Sequence, residues 1–250
     1  MSGHSKWATI KRKKGALDAK RGKIFSKLIK EISVAAKEGG GDPNSNIRLS
    51  NAIIKARANN MPADNIERAL KRATGADADA AAWETITYEG YGPGSVAILV
   101  ETLTDNKNRT AADVRHIFNR AGGKLGGSGT VSYLFTRKGL IQVPKDDADE
   151  EKVYEVAIDA GADNVEDGGE TYDIYTSYLD FETVKTAIKQ RGLPIESAEL
   201  IMVPSTSVKI KGKDAQAMLK MVELLEDNDD VQNVWANYDI DDEEMEAFEG

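Results

Sequence analysis

GLIQVPKDDADEEKVYEVAIDAGADNVEDGGETYDIYTSYLDFETVKTAIKQRGLPIESAELIMV, residues 139–203, alternates strand-like and helical runs in a recognisable order. Gly139–Val143 reads as a strand, Glu151–Ala160 as a helix and Val165–Tyr178 as a strand or hairpin. Phe181–Arg191 reads as a second helix and Ser197–Val203 as a closing strand. That is the β-α-β-β-α-β order of a ferredoxin-like unit. Upstream, Thr85–Tyr88 and Ser95–Leu103 look like strands around a turn at Gly90–Gly94, followed by a helix over Arg109–Ala121 and a strand over Thr130–Phe135. Downstream, Ser207–Ile210, a helix over Asp214–Leu225 and a strand over Val231–Tyr238 supply what the sheet begun at Thr85 lacks. The ferredoxin-like unit therefore reads as an insertion in another α/β unit.

Ahead of these units the period changes. In Lys23–Glu38, Ile24, Phe25, Leu28, Ile29, Ile32, Ala35 and Ala36 fall on one helical face, and Lys23, Lys27, Lys30 and Lys37 on the opposite one. Gly39–Gly41 stops this helix, and Asp42-Pro43 reads as an N-cap with proline at the first position of a second helix running to about Asn60. A third helix follows Met61-Pro62 and ends near Gly75, with Ile66 and Leu70 inward and Arg68, Lys71 and Arg72 outward. Residues 1–22 read as an extended arm and Ala76–Ala82 as a linker. The fold class is thus α+β multidomain: a three-helix-type bundle followed by two α/β sandwich-like domains, one ferredoxin-like and inserted in the other. The expected boundaries are 1–79, 80–134 with 206–240, and 135–205, with 241–250 an acidic, frayed tail.

Charge is divided unevenly along the chain. Residues 1–75 hold 17 Lys/Arg and 6 Asp/Glu, a net +11; residues 76–250 hold 16 and 36, a net −20, so the chain total is −9. A basic module beside an acidic body is the electrostatic footprint of a polyanion-binding protein, and the acidic part confines non-specific binding to one end. The 250 residues include no cysteine, which excludes disulfides, thiolate metal sites and a cysteine nucleophile and fits a reducing cytosol. No apolar run has membrane-spanning length, and the first residues lack the apolar stretch of a secretory signal, so a cytoplasmic protein without a membrane partner is expected.

Lys6, Lys11, Arg12, Lys13, Lys14, Lys20, Arg21 and Lys23 crowd the arm around Trp7, and Lys27 and Lys30 continue them along the first helix. Such density neutralises phosphates and releases counterions. Trp7 suits stacking on an unpaired base as well as it suits plugging the helical core. The lysine face has a blander reading as a solvated helix side, but solvent faces mix both signs, and only Glu31 and Glu38 flank this one. In Thr104–Thr110, Asn and Asp read first as a turn and N-cap; Asn108 and Arg109 also suit an anion pocket at a helix N-terminus. Gly122–Gly129 follows a helix and lacks the GxxxxGK[ST] spacing, so a flexible connection is expected and not a phosphate loop. His4 and His116 lie far apart and no carboxylate spacing singles out a metal site. No catalytic residues, metal or cofactor are therefore assigned; a carboxylate-metal hydrolase is a distant alternative.

Gly3-His-Ser-Lys-Trp7, Asp18–Phe25, Gly39-Gly-Gly-Asp-Pro43, Asn59-Asn-Met61, Tyr88–Gly94, Asp105–Thr110 and Glu226–Val231 resemble, in order, the YebC family, which includes the mitochondrial translational activators of cytochrome c oxidase. The resemblance implies a helical N-terminal domain and two α/β domains, one inserted in the other. It also implies a regulator of gene expression that binds DNA or, as a ribosome-associated factor, meets ribosomal RNA and helps translation through proline-rich stretches.

Overall fold

A computed structural model describes residues 17–75 and 83–248. Their order is α1 (Leu17–Gly39), α2 (Ile47–Ala58), α3 (Ala63–Thr74), β1 (Glu84–Tyr91), β2 (Ala97–Thr104), α4 (Lys107–Arg120), β3 (Lys124–Leu125) and β4 (Phe135–Pro144). There follow α5 (Glu150–Asp159), β5 (Asn164–Asp167), β6 (Thr171–Ser177), α6 (Phe181–Gln190), β7 (Ser197–Pro204), β8 (Val208–Lys209), α7 (Gly212–Glu226), β9 (Val231–Ala236), β10 (Tyr238–Asp239) and α8 (Asp242–Ala247). This is the mixed α+β architecture read from the sequence: helices first, then two sheet-containing parts. Among the described residues no helix is long and apolar enough to cross a membrane.

The chain forms two compact units. One contains, of the described residues, 28–75 and 137–203. Its sheet order, β5-β6-β4-β7, is that of a ferredoxin-like β-α-β-β-α-β unit. Helices α5 and α6 pack on one face around Ile141, Val153, Ile174, Val184 and Ile188. The bundle part buries Ile32, Leu49, Ile53, Ala56 and Ile66. Its turn differs from the expected one. Asn46, not Asp42, caps α2: its Oδ1 accepts from the Leu49 amide at 3.0 Å, and its Nδ2 donates to the carbonyls of Ala35 and Gly40 at 2.7 and 2.8 Å. Asp42 instead closes a local turn, accepting from the Asn44 amide at 2.9 Å. Gly39 makes room for this clamp, because a Cβ there would sit 2.6 Å from Asn46 Nδ2. Within this unit Lys185 of α6 donates to Asn51 of α2 at 2.8 Å, and Lys55 pairs with Glu199 at 3.3 Å.

The other unit takes, of the described residues, 17–27, 83–136 and 204–248. Its sheet order is β3-β1-β2-β9, antiparallel throughout. As expected, the strand near the C-terminus completes the sheet begun before the insertion, pairing Ile98 with Ala236 and Val100 with Val234. The β1–β2 turn needs Gly94, whose φ is +68° and whose missing Cβ would meet Ile210 Cγ2 at 2.5 Å. Strand β2 is buried on both faces, which explains why AILV reads as an apolar run without alternation. Ile98, Val100, Val114, Phe118, Met218, Leu219 and Val222 form the core under α4 and α7.

Three further expectations change. Helix α1 begins at Leu17, so Asp18–Gly22 are helical and not arm. Thr130–Leu134 are not a strand: the sheet edge is Lys124–Leu125, and residues 129–132 turn instead around a buried carboxylate described below. The acidic end is not a frayed tail as far as Phe248: α8 turns Met245 (0% exposed) and Phe248 (6%) into the core while its carboxylates stay outside. Burial of two large apolar side chains outweighs the repulsion among acids that suggested fraying. Met245→Ala should therefore lower unfolding stability by about 3 kcal/mol in urea titrations; a change under ~0.5 kcal/mol would show the helix to be frayed.

Candidate nucleic-acid interface

Of the expected contact residues, Lys6, Trp7, Lys11, Arg12, Lys13 and Lys14 lie outside the described residues, and Lys20 and Arg21 are backbone positions in the first turns of α1. Lys23, Lys27 and Lys30 follow one another along that helix, as the sequence spacing requires. Their face is not simply solvated. Lys27 Nζ donates to the Glu226 carbonyl at 2.5 Å and Lys23 Nζ to the Asp227 carbonyl at 3.3 Å. These are carbonyls at the C-terminal end of α7, which lack intrahelical donors and carry the negative end of the helix dipole. Burial pulls the Lys27 ammonium down to about 8 from 10.5; Glu226, Asp229 and Asp227 oppose this, and Lys23 adds to it. Lys27 therefore works as a partly buried helix cap, a role sequence spacing could not separate from phosphate binding. Lys30 is half-buried, and Lys37 is exposed.

The proposed anion pocket at Asn108 and Arg109 is already occupied by the protein's own carboxylates. Asn106 caps α4 by accepting from the Arg109 amide at 3.1 Å. The Arg109 guanidinium reaches Asp105 and Asp230, each at 2.8 Å, and these hydrogen bonds, Asp230's the stronger, hold it further above its usual range. Asp230 is 5% exposed and also accepts from Thr110 at 2.8 Å and Thr104 at 3.3 Å. The arrangement neutralises a buried acid; Asn108 stays outside it, exposed.

A second buried carboxylate organises the glycine-rich run. Glu89, 6% exposed, accepts from the backbone amides of Gly129 and Val131 at 2.9 Å and Ser132 at 2.8 Å. Desolvation resists its ionisation, but these three amides and the Ser132 hydroxyl outweigh it and hold the carboxyl below 4.5. The loop expected to be flexible is thus pinned by an internal anion. Neither Glu89 nor Asp230 was singled out from sequence. The available signal for Glu89 was an acid in the strand just ahead of the Gly90–Gly94 turn, with a glycine-rich loop further along the chain. Among the described residues no three His, Cys, Asp or Glu side chains are grouped to hold a metal ion.

Two outcomes follow from these pKa directions. Lys27 is depressed in the folded protein, so between about pH 8 and 10.5 the unfolded chain binds the extra proton and stability rises with pH. The urea midpoint of the wild-type protein should climb relative to Lys27→Met across that window; parallel curves would contradict the buried cap. Glu89 is also depressed, so its contribution is full above pH 4.5 and fades as pH falls through the lower folded value. Glu89→Gln should cost about 2 kcal/mol at pH 7, with the gap to wild type closing in acid. A constant gap from pH 7 to pH 3 would contradict the assignment.

Comparison with known proteins places this geometry. The family model described as the TACO1/YebC protein N-terminal domain matches residues 5–76, and that described as the TACO1/YebC second and third domain matches residues 83–238. A "Probable transcriptional regulatory protein" of Geobacter sulfurreducens is 57% identical over 248 residues, spanning 99% of this chain and all of the relative. A protein of the same name from Rubrobacter xylanophilus is 52% identical over 250 residues, spanning both chains fully. The crystal structure of a conserved hypothetical protein from Aquifex aeolicus superposes with a TM-score of 0.82 at 47% identity, covering 90% of this chain and 93% of that one. With both sequence halves and the fold matched in order, this chain belongs to the TACO1/YebC family.

Proposed function

We propose that this protein is a non-catalytic regulator of gene expression that acts in the cytoplasm by binding nucleic acid through its basic N-terminal region. The charge division carries the reading: a net +11 in residues 1–75 against −20 in the remainder. The contact set runs through Lys6, Trp7, Lys11, Arg12, Lys13, Lys14, Lys20 and Arg21. Lys27 is left out of it because its ammonium is committed to α7. The relatives' shared name supports a transcriptional role on DNA, in which footprinting should find a preferred duplex sequence.

A second reading, a ribosome-associated factor that relieves stalling at proline-rich stretches, is favoured by the acidic body. An acidic body of this size resists wrapping by duplex DNA while leaving one basic end to reach ribosomal RNA. Co-sedimentation with ribosomes, run beside DNA binding at matched salt, separates the two.

Both readings share one outcome. Replacing Lys11, Arg12, Lys13 and Lys14 together by alanine should weaken binding and lower the slope of log affinity against log salt by about 3. An unchanged slope would remove the arm from the contact surface.

A further inference from the structure

Residues 107–124 hold five Lys/Arg and one Asp, although residues 76–250 as a whole carry 36 acids against 16 bases. Helix α4 occupies most of this run and is about 21 Å long at 1.5 Å per residue. Its inward side buries Thr110, Val114, Ile117 and Phe118. Its outward stripe, Asn108, Ala112, Arg115, His116, Asn119 and Arg120, is exposed along its whole length, and Lys124 lies exposed just beyond the helix.

The cations of this run divide into two groups. Lys107 pairs with Glu84 at 3.2 Å, and Arg109 is taken by Asp105 and Asp230. Arg115, Arg120 and Lys124 have no ion-pair partner among the described residues. The exposed stripe carries no carboxylate; Asp113, the helix's single acid, is half-buried at its edge. A solvated helix side on an acidic protein would mix signs or lean acidic. This one presents two guanidiniums, two amides and an imidazole around the small Ala112, which lets a chain approach closely.

We infer that this face of α4, with Arg115, His116, Asn119 and Arg120 continued by Lys124, is a second phosphate-contact surface that takes the backbone of the bound nucleic acid. Arginine supplies paired donors to phosphate oxygens, and asparagine donates to phosphate or sugar. The surface recognises backbone charge and carries no base-specific readout. It rests on the nucleic-acid reading above and extends it from the N-terminal region to the acidic body.

The test uses the full chain with two fluorescent probes, a 30-nucleotide single-stranded RNA and a 30-base-pair DNA, and reads log affinity against log salt. Arg115→Gln, Arg120→Gln and Lys124→Gln combined should lower the slope by about 2 to 3 with at least one probe, that probe identifying the nucleic acid. Arg115→Lys with Arg120→Lys should keep the slope. A triple variant with the wild-type slope on every probe that binds overturns the inference and leaves the N-terminal reading intact. Failure of the wild-type protein to bind either probe overturns both. Photocrosslinking of the unmodified protein checks the same point without a variant: adducts within residues 115–124 support it, and adducts confined to residues 1–75 overturn it.

Discussion

The pairing of β2 with β9 is the constraint on which the second sheet and its functional surfaces depend. It joins strands so distant that the Ala97 amide finds its acceptor, Asn237 Oδ1, 140 residues away at 2.7 Å. Closing so long a loop is entropically costly, and the core under α4 and α7 offsets that cost by burying Ile98, Val100, Phe118, Met218 and Leu219 together. The inserted residues leave after Leu134 and return before Ser205, whose amide donates to the Leu134 carbonyl at 2.8 Å. That bond brings the two ends of the insertion together beside the sheet. With the ladder in register, Asp230 enters the core edge, where Arg109 and two threonines satisfy it, and α7 ends where Lys23 and Lys27 reach its carbonyls.

Buried and half-buried charge then sorts the cations into two populations. Lys23, Lys27, Lys107 and Arg109 are held by the protein itself, through helix-end carbonyls or carboxylates. Arg115, Arg120 and Lys124 face outward without such partners among the described residues. A cation already hydrogen-bonded internally must give up those bonds before it meets a phosphate, so the second population is better placed for a ligand. Glu89 shows the same logic with opposite sign. At the end of the glycine-rich run, the amides of Gly129, Val131 and Ser132 converge on the chain's own carboxylate, so they are not open to an outside anion.

Much of the fold was legible because local patterns and global structure agree. The 3.6-residue period of Lys23–Glu38, the turn at Gly90–Gly94 and the strand–helix order of 139–203 each answer to short-range physics. The failures fall where partners are remote. Thr130-Val131 has strand composition, yet the Thr130 amide closes a turn onto the Gly127 carbonyl and the Val131 amide goes to Glu89, 42 positions earlier. Asp241–Gly250 has tail composition, yet Met245 and Phe248 meet a core that its own neighbours do not reveal.

The sequence by itself determined the architecture, the family resemblance and the opposition of a basic head to an acidic body, since periodicity, turn chemistry and net charge are properties of neighbouring residues. Tertiary structure alone decided which charges are available. Lys27 reads in a helical wheel as a solvent-side lysine, and Arg109 and Arg115 look equivalent along α4. Partners brought in from far along the chain decide otherwise: Glu226 for Lys27, 199 positions on, and Asp230 for Arg109, 121 positions on. Whether a cation is a cap, a counterion or a free contact depends on what desolvates it, and only packing supplies that.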